Sequence, residues 1–198
     1  MPKTIDYYFS PMSPWTYLGH ARFNQILVRS GARVNVKPVD YGRIFPVSGG
    51  LPVKQRAPQR QAYRLVELQR WREHLGVPLN LEPKYFPYAT DSPSCMIIAA
   101  DRQHGAQVAM RVAYGIMQAC WVHERNCADT EVLDQIAHGA GVDGAALRAR
   151  EGEAKATYAA YTQEAIDRQL FGAPSYVVDG EVFWGQDRLD FVERTLAR

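Results

Sequence analysis

The hydrophobic pattern sets out the elements from the first residues onward. Ile5-Asp6-Tyr7-Tyr8-Phe9 is a short run rich in large apolar side chains, closed by Ser10-Pro11. That pattern predicts a buried strand. After Ser13-Pro14, the residues Tyr17, Leu18, Ala21 and Ile26 recur at helical spacing as far as Gly31. A helix is predicted there, with Ser13 as its N-cap and Pro14 in its first turn. Val34-Asn35-Val36 alternates into a second strand that stops near Pro38. Strand, helix, strand at this spacing is a βαβ unit.

Beyond residue 40 the period changes. Residues 41–53 are rich in Gly and Pro and read as a loop. Gln59 to Leu75 reads as a helix with Leu65, Leu68, Trp71 and Leu75 on one face, stopped by Gly76 and Pro78. Ser92-Pro93 with the apolar run Met96 to Ala100 opens another helix, and Val108, Val112, Ile116 and Ala119 mark a third. Asp129 and Asp143 are placed to cap two shorter ones. No strand is expected between 41 and 150. The tail returns to mixed structure, with a helix over 154–170. Ser175-Tyr176-Val177-Val178 and Glu181-Val182-Phe183-Trp184 flank Asp179-Gly180, a strong signal for a hairpin with a type I′ turn. Asp187 stands where an N-cap belongs, before a helix carrying Leu189, Val192 and Leu196.

The two ends together read βαβ … αββα, an α/β arrangement of thioredoxin-like order interrupted by a large all-α insertion. The expected division is a discontinuous thioredoxin-like domain of residues 1–40 and 151–198, with 41–150 as the helical insertion. Composition narrows the partners. Across 198 residues, 23 Lys and Arg face 21 Asp and Glu, a net charge of +2, which argues against a dedicated nucleic-acid binder. Hydrophobic residues at 46% and charged residues at 22% suit a globular chain rather than a disordered one. No apolar run approaches the roughly 20 residues of a membrane helix, and Asp6 interrupts any secretory signal. Three cysteines, Cys95, Cys120 and Cys127, form no disulfide framework and point to a reducing cytosol.

In a thioredoxin-like fold the reactive group sits at the start of the first helix, where backbone N–H groups and the helix dipole stabilise an anion. A disulfide oxidoreductase carries C-x-x-C at that point; this chain carries Ser13-Pro14-Trp15-Thr16, so a dithiol mechanism there is excluded. No Gly-x-Ser-x-Gly elbow surrounds Ser13, and the five histidines have no metal-ligand spacing. Ser13 either caps the helix alone or also donates a hydrogen bond to a thiolate brought by a bound thiol. Ala173-Pro174 precedes a predicted strand. If cis, it would present the Ala173 backbone to an extended ligand, although a trans proline is the commoner state. Asp187 in Trp184-Gly185-Gln186-Asp187 either caps its helix or accepts a ligand ammonium group.

These sites together resemble the 2-hydroxychromene-2-carboxylate isomerases, which are close to kappa-class glutathione transferases. The resemblance rests on Asp6-Tyr7-Tyr8-Phe9-Ser10-Pro11-Met12-Ser13-Pro14-Trp15-Thr16-Tyr17-Leu18, on Leu68-Gln69-Arg70-Trp71 with Gly76-Val77-Pro78-Leu79, on Phe171-Gly172-Ala173-Pro174, and on Trp184-Gly185-Gln186-Asp187-Arg188-Leu189. It implies a thioredoxin fold with a helical insertion, reduced glutathione as cofactor, and Ser13 beside its sulfur. It implies that Ala173, next to a cis Pro174, holds the cysteinyl backbone, and that Trp184, Gly185, Gln186 and Asp187 hold the γ-glutamyl end. It implies Tyr85 on the substrate side, a dimer, and opening of a chromene hemiketal in aromatic catabolism. Two positions depart from the family pattern. Phe45 stands where a Lys is frequent, and Gly49-Gly50 where Gly-Asn is frequent. Both belong to the substrate side.

Residues 54–73 carry six Lys and Arg against two Glu. Most such runs are solvated helix faces, yet Lys54 or Arg56 has the charge to meet a carboxylate. The cysteines are expected in the core. The competing functions are a kappa-like transferase acting on another electrophile and a thioredoxin-fold binding module without catalysis.

Overall fold

The computed structural model describes residues 2–198. A four-stranded sheet runs in the order β2-β1-β3-β4. Strand β1 (Thr4–Phe9) pairs in parallel with β2 (Arg33–Pro38) and antiparallel with β3 (Ser175–Val178), which continues through a hairpin into β4 (Glu181–Trp184). The hairpin turns on Asp179 and Gly180, whose φ angles of 51° and 86° are the pair a type I′ turn needs. Helix α1 (Pro14–Ser30) makes the crossover from β1 to β2. It begins at Ser13, whose hydroxyl oxygen accepts from Thr16 N–H at 3.3 Å, and ends at Gly31 in the left-handed region.

Strand alternation divides the core. Ile5, Tyr7 and Phe9 of β1 join Tyr176, Phe183, Phe23 and Ile26 on one face of the sheet. Tyr8 and Val177 meet Val39, Tyr41, Ile44, Ala165 and Leu170 on the other. Lys37 is buried beside Tyr8, and its ammonium lies 2.9 Å from Glu164 and 3.2 Å from Asp6. Such pairing offsets the cost of withdrawing the charge from water.

The segment after β2 folds differently from expectation. Residues 41–53, read as a loop, contain helix α2 (Tyr41–Ser48), followed by a 3-10 turn at Val53–Gln55. Asp40 starts α2 by accepting from Gly42 N–H at 2.7 Å, and Tyr41 and Ile44 bury one face of it. Gly42 and Pro46 lower its intrinsic preference, so tertiary burial decides, and the left-handed Gly49 ends it. The remaining helices are α3 (Pro58–Leu75), α4 (Asp91–His104), α5 (Ala106–Trp121), α6 (Thr130–Gly139), α7 (Gly144–Arg148), α8 (Glu151–Asp167) and α9 (Leu189–Leu196). Asp129 and Asp143 cap α6 and α7 as expected.

Asp187 does not cap the last helix. Gln186–Arg188 forms a 3-10 turn, α9 starts after it, and the Asp187 carboxylate pairs with Arg188 at 2.7 Å. The tight turn is set by Gly185 at φ 103°, whose missing Cβ leaves room for the Asp187 carboxylate.

No helix among the described residues is long and apolar enough to cross a membrane.

Candidate functional site

Register brings the candidate residues to one end of the sheet. Tyr8 is opposite Ser175, so continuing past the strand ends carries Phe9-Ser10 alongside Pro174-Ala173. Ser175 is opposite Trp184, and Gly185 N–H donates to Pro174 O at 2.9 Å. On the far side of β1, Phe9 is opposite Pro38, and Val39 N–H donates to Phe9 O at 2.9 Å, so α2 also springs from this end. The turn Ser10 to Ser13, closed by Ser13 N–H to Ser10 O at 3.0 Å, aims the start of α1 at the same place.

Ser13 is half-buried, and the first turn of α1 holds no acidic residue. The unopposed positive end of the helix therefore favours an anion. Capping uses a lone pair of Ser13 Oγ and leaves its proton free to donate. Capping and anion stabilisation are thus compatible in one hydroxyl. The Ala173–Pro174 bond is cis, whereas residue types alone favoured trans. A second cis bond, Phe86–Pro87, had no expectation attached to it. Pro174 is buried; Ala173 is half-buried, and its N–H and carbonyl form no hydrogen bond among the described residues. An unpaired backbone segment leading into a strand can pair with a peptide-like ligand.

Three supports hold this loop. Tyr41 of α2 donates to Gly172 O at 2.8 Å, and the Ser175 hydroxyl donates to the same oxygen at 2.6 Å. Trp184 packs edge-on against Phe171, with ring centres 4.9 Å apart, and its indole occupies the space a Cβ on Gly172 would take. Trp184 is nevertheless half exposed. Gln186 is buried, with an Oε1 that has no donor among the described residues. It lies against Gly19 of α1, where no side chain fits.

The other expected residues divide. Phe45 of α2 packs against Tyr41, the residue that holds Gly172 O, with ring centres 5.4 Å apart. Its ring covers Gly50, where a Cβ would overlap it. The two departures from the family pattern are therefore one exchange of space. Arg56, half-buried, follows the 3-10 turn and donates to Leu51 O at 2.8 Å. Lys54 is exposed, and no hydrogen bond or ion pair joins it to the Ser13 end. Tyr85 is exposed on the loop between α3 and α4. That loop is anchored at the site by Tyr88, which donates its hydroxyl proton to Pro11 O at 2.9 Å and directs its N–H to Met12 Sδ at 3.4 Å.

All three cysteines are buried and unpaired. Burial pushes the Cys95 and Cys127 thiols up to about 11 and Cys120 up to about 12. None is ionised near neutrality, so no thiolate of the chain's own is available. Among the described residues no group of three or more His, Cys, Asp or Glu gathers as a metal site. An open surface hollow lined by Asp134, His138 and residues 141–145 includes none of the candidate site residues.

A parallel–antiparallel sheet with a helix N-terminus and a cis-proline loop at one end defines a thioredoxin-type protein, here with a hydroxyl where a dithiol would act. The chain belongs to the DsbA-like thioredoxin domain family, whose model matches residues 4–197. It is 29% identical to 2-hydroxychromene-2-carboxylate isomerase of Sphingobium xenophagum, over 99% of each chain. It is 24% identical to glutathione S-transferase kappa 2 of Caenorhabditis elegans, over 98% of this chain and 92% of that one. A solved 2-hydroxychromene-2-carboxylate isomerase superposes with a TM-score of 0.80 at 25% identity, over 98% of this chain and 95% of that one. The resemblance drawn from the motifs thus extends over the whole chain, and the protein is an enzyme of the isomerase and transferase kind these relatives represent.

Proposed function

We propose that the enzyme is a glutathione-dependent isomerase of the 2-hydroxychromene-2-carboxylate type, acting on a small aromatic or chromene-type carboxylate in aromatic catabolism. The observation that carries the reading is the Ser13 hydroxyl at an uncontested helix N-terminus, at the same end of the sheet as an unpaired Ala173 backbone, in a chain whose own thiols are buried. Glutathione, when bound, supplies the thiol nucleophile the chain lacks.

The residues present fit that group. The Ala173 N–H and carbonyl pair with its cysteinyl backbone. Ser13 donates to its sulfur and favours the charged form. Trp184, Gly185 and Gln186 flank its γ-glutamyl end, with the Asp187 carboxylate as acceptor for the ammonium group. On the substrate side stand Phe45, Tyr85 and Arg56, with Lys54 as an outer cation. The reading includes a homodimer working in the cytoplasm. Light scattering of the purified protein checks the dimer, and fractionation of the host cell checks the compartment.

The shared space of Phe45 and Gly50 favours one alternative, a kappa-like transferase for a different electrophile, because it alters the wall facing the substrate.

Ser13→Ala is the direct test. A hydrogen bond to a charged partner contributes about 1.5–3 kcal/mol, so ionisation of bound glutathione should fall by about ten- to a hundredfold. Ultraviolet absorbance of the bound thiolate across pH reads this out. A variant that binds and ionises glutathione like the parent refutes the role given to Ser13.

A further inference from the structure

Among the described residues, Arg64 of α3 is a cation without an anion. Its guanidinium lies 5.3 Å from the ring centre of Phe86 and 6.0 Å from that of Trp121. The residue is half-buried, and its Nη2 is enclosed with no acceptor among the described residues. Glu67, three residues further along the helix, is paired instead with Arg70 at 2.7 Å. The indole N–H of fully buried Trp121 also lacks an acceptor. Burial and the nearby charge of Arg56 lower the Arg64 guanidinium to about 10, so it stays charged at neutral pH. Aromatic faces compensate a cation only in part. A guanidinium held this way is preorganised for the planar, two-pronged acceptor that a carboxylate presents.

Its place in the fold connects it to the reaction centre. Phe86 belongs to the loop that Tyr88 fastens to Pro11 and Met12, immediately before Ser13. Tyr85 is its neighbour. Phe86 and the fully buried Trp121, with ring centres 5.0 Å apart, back the guanidinium with aromatic faces.

We propose that Arg64, backed by Arg56, is the carboxylate-binding residue of the substrate side, and that the carboxylate it takes is carried by a flat aromatic body. The inference deepens the function proposed above by assigning a residue that recognises the substrate's charge.

Titration of the full chain with salicylate and with its neutral counterpart, salicylamide, tests it. Two-dimensional amide spectra follow the indole N–H signals, with Trp121→Phe identifying the one that matters. Salicylate should move the Trp121 indole signal and bind more tightly than salicylamide. Arg64→Leu should weaken salicylate by about tenfold or more while leaving salicylamide unchanged. Arg64→Lys keeps the charge but loses the fork, and should fall between; it also serves if Arg64→Leu does not fold. Equal binding of the two probes, or unchanged salicylate affinity in a folded Arg64 variant, overturns the proposal. Calorimetry with glutathione runs in parallel. A loss confined to glutathione in the Arg64 variants also overturns the assignment. A parent protein that binds salicylate through Arg64 but not glutathione refutes the cofactor and leaves the carboxylate site standing.

Discussion

His20 is enclosed on α1, with Nε2–H donating to Met110 O at 3.0 Å and Nδ1 accepting from the Tyr7 hydroxyl at 3.4 Å. Burial lowers its pKa from the ordinary 6.5 to about 4. The unfolded chain therefore takes up a proton below pH 6.5 that the folded chain refuses. Stability is greatest above pH 6.5 and falls as the pH drops toward about 4, by about 3 kcal/mol from this residue. Urea unfolding between pH 4 and 7.5 should show that slope, and His20→Gln should flatten it. An unchanged slope in the variant would mean that His20 is not the titrating group. At this scale Ser13 was legible, because one residue type at one helix start carries the argument. Arg64 was not. The run of charges was visible, but the two rings and the missing acceptor come from positions 86 and 121, far away in sequence.

Helix α2 shows why one element escaped the pattern. Gly42, Pro46 and Gly49 read as loop punctuation, yet Asp40 caps the helix, and Tyr41 and Ile44 seat it on the face of the sheet built around Tyr8. Only the folded sheet supplies that surface. The helix presents Phe45 over Gly50, which makes the pair testable as a unit. Gly50→Ala alone should destabilise by about 1–3 kcal/mol through overpacking. In a Phe45→Ala background the same change should cost much less, leaving a coupling of about 1–2 kcal/mol by denaturant titration. Strictly additive effects would show that the two positions do not share space. The strands, by contrast, were plain in the sequence. Alternation, the Asp179-Gly180 turn and the Ser13-Pro14 helix start each act locally, and all three stand in the structure.

For the whole molecule, the important feature is the continuity of the core. Ile5, Tyr7 and Tyr176 of the sheet and Met110, Ile116 and Trp121 of α5 belong to one buried cluster, with Leu18 and Phe23 of α1 among them. A core shared in this way should unfold as one unit, even though residues 41–150 interrupt the thioredoxin-like order. Far-ultraviolet and near-ultraviolet dichroism should give coincident denaturant transitions. Two separated transitions would show that the insertion is an independent folding unit. The order of elements, α2 apart, was readable from the sequence; their common interior was not, because side-chain periodicity says which face is buried but not against what.

The seclusion of Cys95, Cys120 and Cys127 has a further consequence for how the protein endures its own work. Thiolates attack electrophiles, and an enzyme that handled electrophiles with exposed cysteines would be alkylated in stray encounters. Here the folded chain offers them no exposed thiol of its own. Under the proposed function the nucleophile would be a replaceable small thiol, so damage would fall on the visitor and leave the catalyst intact.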